Sequence, residues 1–368
     1  MEEASPSRAT LTPRRVGSRI VTAVAVIVLP LLTLWGACAL WYQGPGGQVL
    51  SGPAAGGGQV IKWVIVVVWV AFGLATLIAA SKGRAVVGLG CFAVGFAGLL
   101  LWWHQVVPSN QRAWADDVAR TASGRVEGNL VTLSDVRNFD WRSNTDYTQR
   151  WETRSYDLNR LDSVDMVLSY WSMRAIAHVL VSFGFDDGSH VVFSVEIRRE
   201  KQESFSEIGG FFKEFELSVI AADERDVIRV RTNVRGEDDY LYRIRMPVDD
   251  MRALFLAYVN EANVLVNTPR FYNTITVNCT TLVYHMLRRI VGHLPLDYRL
   301  LFSGYLPSYV YKVGGLDSRY SLEQLRAFGR ITDRAKAADQ SATFSKEIRR
   351  GIPALPVQGA VVRTDEAR

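Results

Sequence analysis

Cys279 is the one cysteine of three that stands outside the apolar N-terminal runs holding Cys38 and Cys91. With no second thiol in its own part of the chain it cannot form a disulfide there, so it is either an inert core thiol or a nucleophile. It lies in Tyr272-Asn273-Thr274-Ile275-Thr276-Val277-Asn278-Cys279-Thr280-Thr281, where a strand pattern gives way to a helix pattern. Asn278 is a good N-cap, which places Cys279 in a first turn, beside open N–H groups and the positive end of the helix dipole. That setting favours thiolate over thiol. The amides of Cys279 and Thr280 would then face the oxyanion formed when the thiolate attacks a carbonyl.

A nucleophilic thiol needs a base, and the chain offers five histidines. His104 stands at the end of an apolar run, His190 at a turn, and His293 beyond a helix. His285 is six residues along from Cys279, about 600° of helical rotation, and points elsewhere. His178 opens the apolar strand pattern Ala177 to Phe185, where it is either a core histidine satisfied by the backbone or a functional one. If the turn that follows is the three-residue loop Asp186-Asp187-Gly188, with Gly188 left-handed, residue 185 pairs with 189 and His178 with Glu196. A carboxylate there would orient the imidazole and complete a Cys-His-Glu constellation. A two-residue Asp187-Gly188 turn would put Ile197 opposite instead. On a solvated face, Glu196 would simply pair with Arg198 or Arg199.

The elements that must position these groups read as α+β. The hairpin of Ala177–Phe185 and His190–Arg198 is the clearest signal. Val126–Val136 reads as the first strand, and Glu214–Ala221, Asp226–Thr232 and Asp239–Met246 as further strands. Arg160–Ala175 is mixed, with Leu161, Val164, Val167, Leu168 and Trp171 at helical spacing. A short helix is expected around residues 110–121. Pro247 opens a helix over 248–266, and Thr280–Val291 forms another that Gly292 ends. Residues 331–368 lack a core pattern and read as a flexible tail. The chain contains no GxGxxG, Walker loop or zinc spacing, so no cofactor or metal is expected.

The N-terminal part has a different character. Ile20–Tyr42 is 23 residues without a charge, enough to cross roughly 30 Å of hydrocarbon at about 1.5 Å per residue. A Gly-rich connector follows, then Trp63–Ala80 and Ala85–Trp103 around the basic turn Ser81-Lys82-Gly83-Arg84, giving three spans over 20–103. A cleaved signal peptide at Ala37-Cys38-Ala39 is the alternative for the first, but the run is too long for a usual signal core. Residues 1–103 carry seven basic and two acidic residues, the whole net charge of +5, while the rest is balanced at 35 each. The basic pI is therefore a topology signal and not a nucleic-acid footprint. The bases before the first span and Lys82 and Arg84 fall on one side, cytoplasmic by the positive-inside rule. Residues 1–19 are then cytoplasmic, and three crossings deliver everything after Trp103 to the opposite face, which in a Gram-negative bacterium would be the periplasmic side of the inner membrane.

Four runs give a resemblance: Trp151-Glu152-Thr153-Arg154-Ser155-Tyr156-Asp157, Ala177-His178 through Phe185, Asp223-Glu224-Arg225-Asp226 and the cysteine segment. In this order they resemble the Lnb N-terminal periplasmic domain family over about residues 128–310. The resemblance implies a circularly permuted papain-type thiol fold, akin to NlpC-type amidases and lecithin:retinol acyltransferase, in an antiparallel sheet with a cysteine-bearing helix. It implies acyl transfer from phospholipid to a lipoprotein amine through a Cys279 thioester, with His178 as base. This chain differs from the characterised acyltransferase in carrying its spans N-terminal to the domain. The map is a linker over 104–127 and a thiol domain over 128–330, with membrane lipids and lipoproteins as partners. A cell-wall amidase or peptidase, or a non-catalytic envelope protein, would share the same fold. Asn278-Cys279-Thr280 also matches a glycosylation sequon, a short pattern with a high chance rate.

Overall fold

The computed structural model describes residues 13–44 and 55–355. They fall into two units, one running to Val107 and taking in Phe212–Glu214, the other Pro108–Phe211 and the chain from Phe215 onward. Most of the expected cytoplasmic N-terminus, most of the Gly-rich connector and the last part of the expected tail lie outside the described residues.

The first unit contains three helices, α1 (Pro13–Gln43), α2 (Ala55–Ala79) and α3 (Ala85–Gln105). Two segments are long and apolar enough to cross a membrane, Val26–Gln43 and Gly58–Gln105, where the sequence leads to three. The second runs 48 residues through a break at Lys82 (φ −87°, ψ 15°) and Gly83 (φ 82°, ψ 4°), between α2 and α3. Small residues bring α1 and α2 close. A Cβ on Gly36 would meet Trp69 Nε1 at 2.5 Å, and that indole donates to Thr33 O at 2.9 Å. Such contacts are how helices associate where burial of apolar surface gives no drive.

The second unit is an α+β domain. Its strands are β1 (Ser123–Glu127), β2 (Leu130–Arg137), β3 (Asp140–Trp141), β4 (Tyr147–Thr148), β5 (Trp151–Asp157), β6 (Leu161–Tyr170), β7 (His178–Phe185), β8 (His190–Arg198) and β9 (Glu216–Ala222). There follow α4 (Glu224–Arg229), β10 (Asp238–Arg243), α5 (Val248–Asn267), α6 (Thr281–Val291), α7 (Leu306–Lys312), α8 (Leu322–Gly329), α9 (Thr332–Ala338) and α10 (Phe344–Ile348). The main sheet has the order β1-β2-β9-β8-β7-β6-β10, with β5 also on β2. The sequence suggests an antiparallel sheet, but this one is mixed, because β2 and β9 run parallel at Arg137 and Ala222.

Both faces of the sheet are covered. Val179, Val181, Phe183 and Phe193 pack with Leu254, Phe255 and Tyr258 of α5 and Val283 and Met286 of α6. Val167, Leu180, Val192 and Ile220 pack on the other face with Val227 and Ile228 of α4, Ala335 of α9, and Phe344 and Ile348 of α10. A central strand buried on both sides reads as a nearly continuous apolar run. This explains β6, whose apolar spacing imitates a helix but whose residues are buried along almost its whole length.

Four further expectations are corrected. Val126–Val136 is two strands, because Gly128 (φ +61°) begins a two-residue turn that pairs Glu127 with Leu130. Residues 110–121 hold only a single 3-10 turn, Asp116–Val118; Asn110 is instead tied to α5 through Leu265 O and Val266 O. Asp226–Thr232 is helical, since the Asp223 side chain accepts from Arg225 N and caps α4. The segment 331–355, expected to be a tail, holds α9 and α10. Arg349 fastens it by ion pairs to Asp165 at 2.9 Å and Glu224 at 2.6 Å, both fully buried.

Candidate active site

The β7–β8 hairpin sets the first two members of the site. Phe185 N donates to Ser189 O at 3.0 Å, Gly188 N to Phe185 O at 2.9 Å, and Gly188 has φ +82°. The pairs run from Gly184 opposite His190 to Leu180 opposite Ser194, a register that brings His178 to Glu196. The loop is thus the three-residue form, and the register with Ile197 across from His178 is not adopted. His178 Nε2 lies 3.1 Å from Glu196 Oε1 and 2.7 Å from Ser194 Oγ, which itself donates to Glu196 at 2.6 Å. Arg198 and Arg199, the alternative partners of Glu196, bond elsewhere: Arg198 to Val118 O and Ala119 O, Arg199 to Asp117.

The segment before α6 supplies the thiol. Asn278 Oδ1 accepts from Thr280 N at 2.8 Å and Thr281 N at 2.9 Å, as a helix cap does. Regular helix begins at Thr281, so Cys279 sits in the capping turn just ahead of it. The expected pairing of the Cys279 and Thr280 amides as an oxyanion site is corrected here, because Asn278 already holds the Thr280 amide. Among the described residues the Cys279 amide donates to no protein group. Cys279 Sγ has Thr280 Oγ1 at 3.9 Å, and His178 and the Val179 amide are near enough to favour its charged form. Since Nε2 of His178 is engaged by Glu196 and Ser194, Nδ1 is the nitrogen left for the thiol.

The electrostatics of the three groups reinforce one another. Burial and the Arg231 charge disfavour the imidazolium, but the Glu196 carboxylate, helped by Cys279, overcomes them and raises His178 to about 9. Burial likewise opposes the thiolate, but His178 outweighs it and lowers Cys279 from its ordinary value. Against its own burial, Glu196 is held well below the usual carboxylate range by His178 and Arg231. Both shifts run toward a thiolate–imidazolium pair, and the thiolate is the form of cysteine that attacks carbonyl carbon.

Sequence reasoning missed several supporting groups. Arg231 bridges Glu196 at 3.3 Å and Glu237 at 3.1 Å; it went unnoticed because its segment reads as strand instead of the turn after α4. Ser194 lies two residues before Glu196, on the same face of a strand, a spacing that could have exposed it. Tyr272 lines the same cleft and stays a protonated donor, because burial and the Cys279 and Glu196 charges push its pKa well above normal. The cleft is about 420 Å³, walled by apolar Trp171, Phe205 and Leu301 and by basic Arg231 and Arg235. Of the other histidines, His190 bonds Gly188 O in the hairpin turn and His285 is exposed on α6.

Residues 147–304 match the model of the Lnb N-terminal periplasmic domain family. No curated protein and no solved structure matches the chain. A domain of a periplasmic family on a chain with two candidate membrane segments points to a membrane-anchored protein whose domain faces the periplasm. The match takes in His178, Glu196 and Cys279, so the residues of the site lie within the stretch that is similar to this family.

Proposed function

We propose that this protein is a periplasmic cysteine acyltransferase of the inner membrane, which moves an acyl chain from phospholipid to the terminal amine of a lipoprotein. The Cys279 thiolate attacks the ester carbonyl, and the Cys279 amide with the Tyr272 hydroxyl serves the tetrahedral oxyanion. Collapse expels the lysolipid alkoxide, which takes the proton of His178 and leaves an acyl thioester on Sγ. The lipoprotein amine then attacks the thioester and gives its proton to His178; an amide forms and the thiolate returns.

The observation that carries this reading is the His178–Glu196 pair and Cys279 lining one cleft, with His178 favouring the charged form of the thiol. The aromatic and aliphatic walls of that cleft support lipid as the donor, since such groups suit an acyl chain. The histidine strand precedes the cysteine helix, the order of a permuted papain-type fold, which we adopt as part of the proposal. We also take the break at Lys82 and Gly83 as a tight basic turn between two crossings. With the first helix that makes three, and places Lys82 and Arg84 in the cytoplasm.

Incubation of the purified protein with radiolabelled phospholipid tests the reaction. Label should become attached to Cys279 in a form that hydroxylamine releases, and should be lost in Cys279→Ala. Absence of a thioester, together with cleavage of muropeptides, would overturn acyl transfer in favour of a wall amidase.

A further inference from the structure

Behind Cys279 the domain keeps a second cavity, of about 90 Å³. Thr280 lines both this cavity and the catalytic cleft, and Val179, the neighbour of His178, lines the cavity as well. The walls come from five elements, among them Val181 of β7, Leu254 of α5, Val283 of α6 and Leu306 of α7. Two tyrosines face it with their rings alone, because Tyr284 Oη donates to Leu294 O and Tyr309 Oη to Pro295 O, each at 2.9 Å. A water molecule there would lack the two to four polar partners that hold buried water. An empty apolar void forfeits packing contacts, so a domain shaped for stability alone would have filled it.

We infer that this cavity receives the alkyl chain of the Cys279 thioester, which turns in past Thr280 from the catalytic cleft. The inference rests on the acyl-transfer reading and adds a chain-length rule to it. The volume is roughly three times the share of one water in the liquid, about 30 Å³, and so takes a few methylenes. Each methylene that enters should raise the acylation rate about fourfold, the equivalent of about 0.8 kcal/mol per buried CH₂. The gain stops once the cavity is full.

The test uses full-length protein and p-nitrophenyl esters from acetate to dodecanoate, which share one leaving group. Acylation is followed by the nitrophenol burst, and the adduct is located on Cys279 by peptide mass. In the unaltered protein, kcat/KM should climb with chain length and then level off. Leu287 also lines the cavity; Leu287→Ala enlarges it and should move the plateau to longer chains, while Val283→Phe fills it and should move the plateau to shorter ones. The acetate rate should stay within about twofold in both variants, which shows the catalytic groups intact, and Leu287→Ala alone decides the matter should Val283→Phe not fold. A profile left unchanged by Leu287→Ala, with Cys279 still acylated, would overturn the pocket and leave acyl transfer standing. No adduct from any ester, with Cys279 still open to iodoacetamide, would overturn acyl transfer and the pocket with it.

Discussion

Glu196 is the residue on which the charge state of the site turns. Its carboxylate is the chief group raising His178 to about 9 against burial, and through His178 it reaches Cys279. Glu196→Gln keeps the shape and removes the charge, so the pKa of His178 should fall and the thiolate fraction at neutral pH with it. Alkylation of Cys279 by iodoacetamide at pH 7 should slow by roughly tenfold, within the range open to a thiol that is only a few per cent ionised when unaided. An unchanged rate would mean that Glu196 only holds structure. The sign for stability follows from the raised pKa. His178 contributes stability that is fully present below its unfolded value, about 6.5, and lost as the pH rises through about 9. At this scale much was legible. A histidine opening an apolar strand, and a Gly at the left-handed position of the turn, led from composition to His178 and Glu196. Arg231 and Tyr272 were not, because each reaches the cleft through a tertiary path that carries no local spacing.

The elements beneath the site are held by a second, separate set of buried charges. Arg349, just after α10, pairs with Asp165 on β6 and with Glu224 on α4, and Glu224 also accepts from Ser182 Oγ on β7 at 2.6 Å. Burial works against the Glu224 carboxylate, but Arg349 overrides it and lowers the pKa to about 2. A depressed carboxylate contributes stability above its unfolded value, about 4.5, which is lost as the pH falls toward 2. Arg349→Ala strands the buried Glu224 carboxylate, while Asp165 keeps Arg243 at 2.5 Å, and should cost about 3–5 kcal/mol, read as a lower melting temperature of the detergent-solubilised protein. Arg350→Ala, on an exposed side chain, should change little. Loss of the same size in both variants would deny the Arg349 network its role. The sequence hid these elements for a physical reason. Helices α9 and α10 are short, of seven and five residues, and bury a few side chains each, so their periodicity is too brief to stand out from a charged tail. The β6 strand misled in the opposite way, since burial on both faces erases the alternation that marks a strand.

For the whole molecule, the balance of charge and the apolar runs mark a change of character along the sequence, and the separated motifs point to the family whose model matches residues 147–304. The sheet order and its one parallel pairing depend on contacts far apart in sequence, which no local pattern encodes. The scales meet at a thiol whose ionisation the neighbouring histidine favours. The rate of Cys279 alkylation by iodoacetamide against pH measures that ionisation directly. The unaltered protein should react at pH 7 roughly tenfold faster than an ordinary thiol, with the acid limb of its profile displaced below the usual thiol range of about 8.5. His178→Ala should return the profile to that range. Identical profiles for the two proteins, both rising only through the ordinary thiol range, would contradict the pairing of Cys279 with His178.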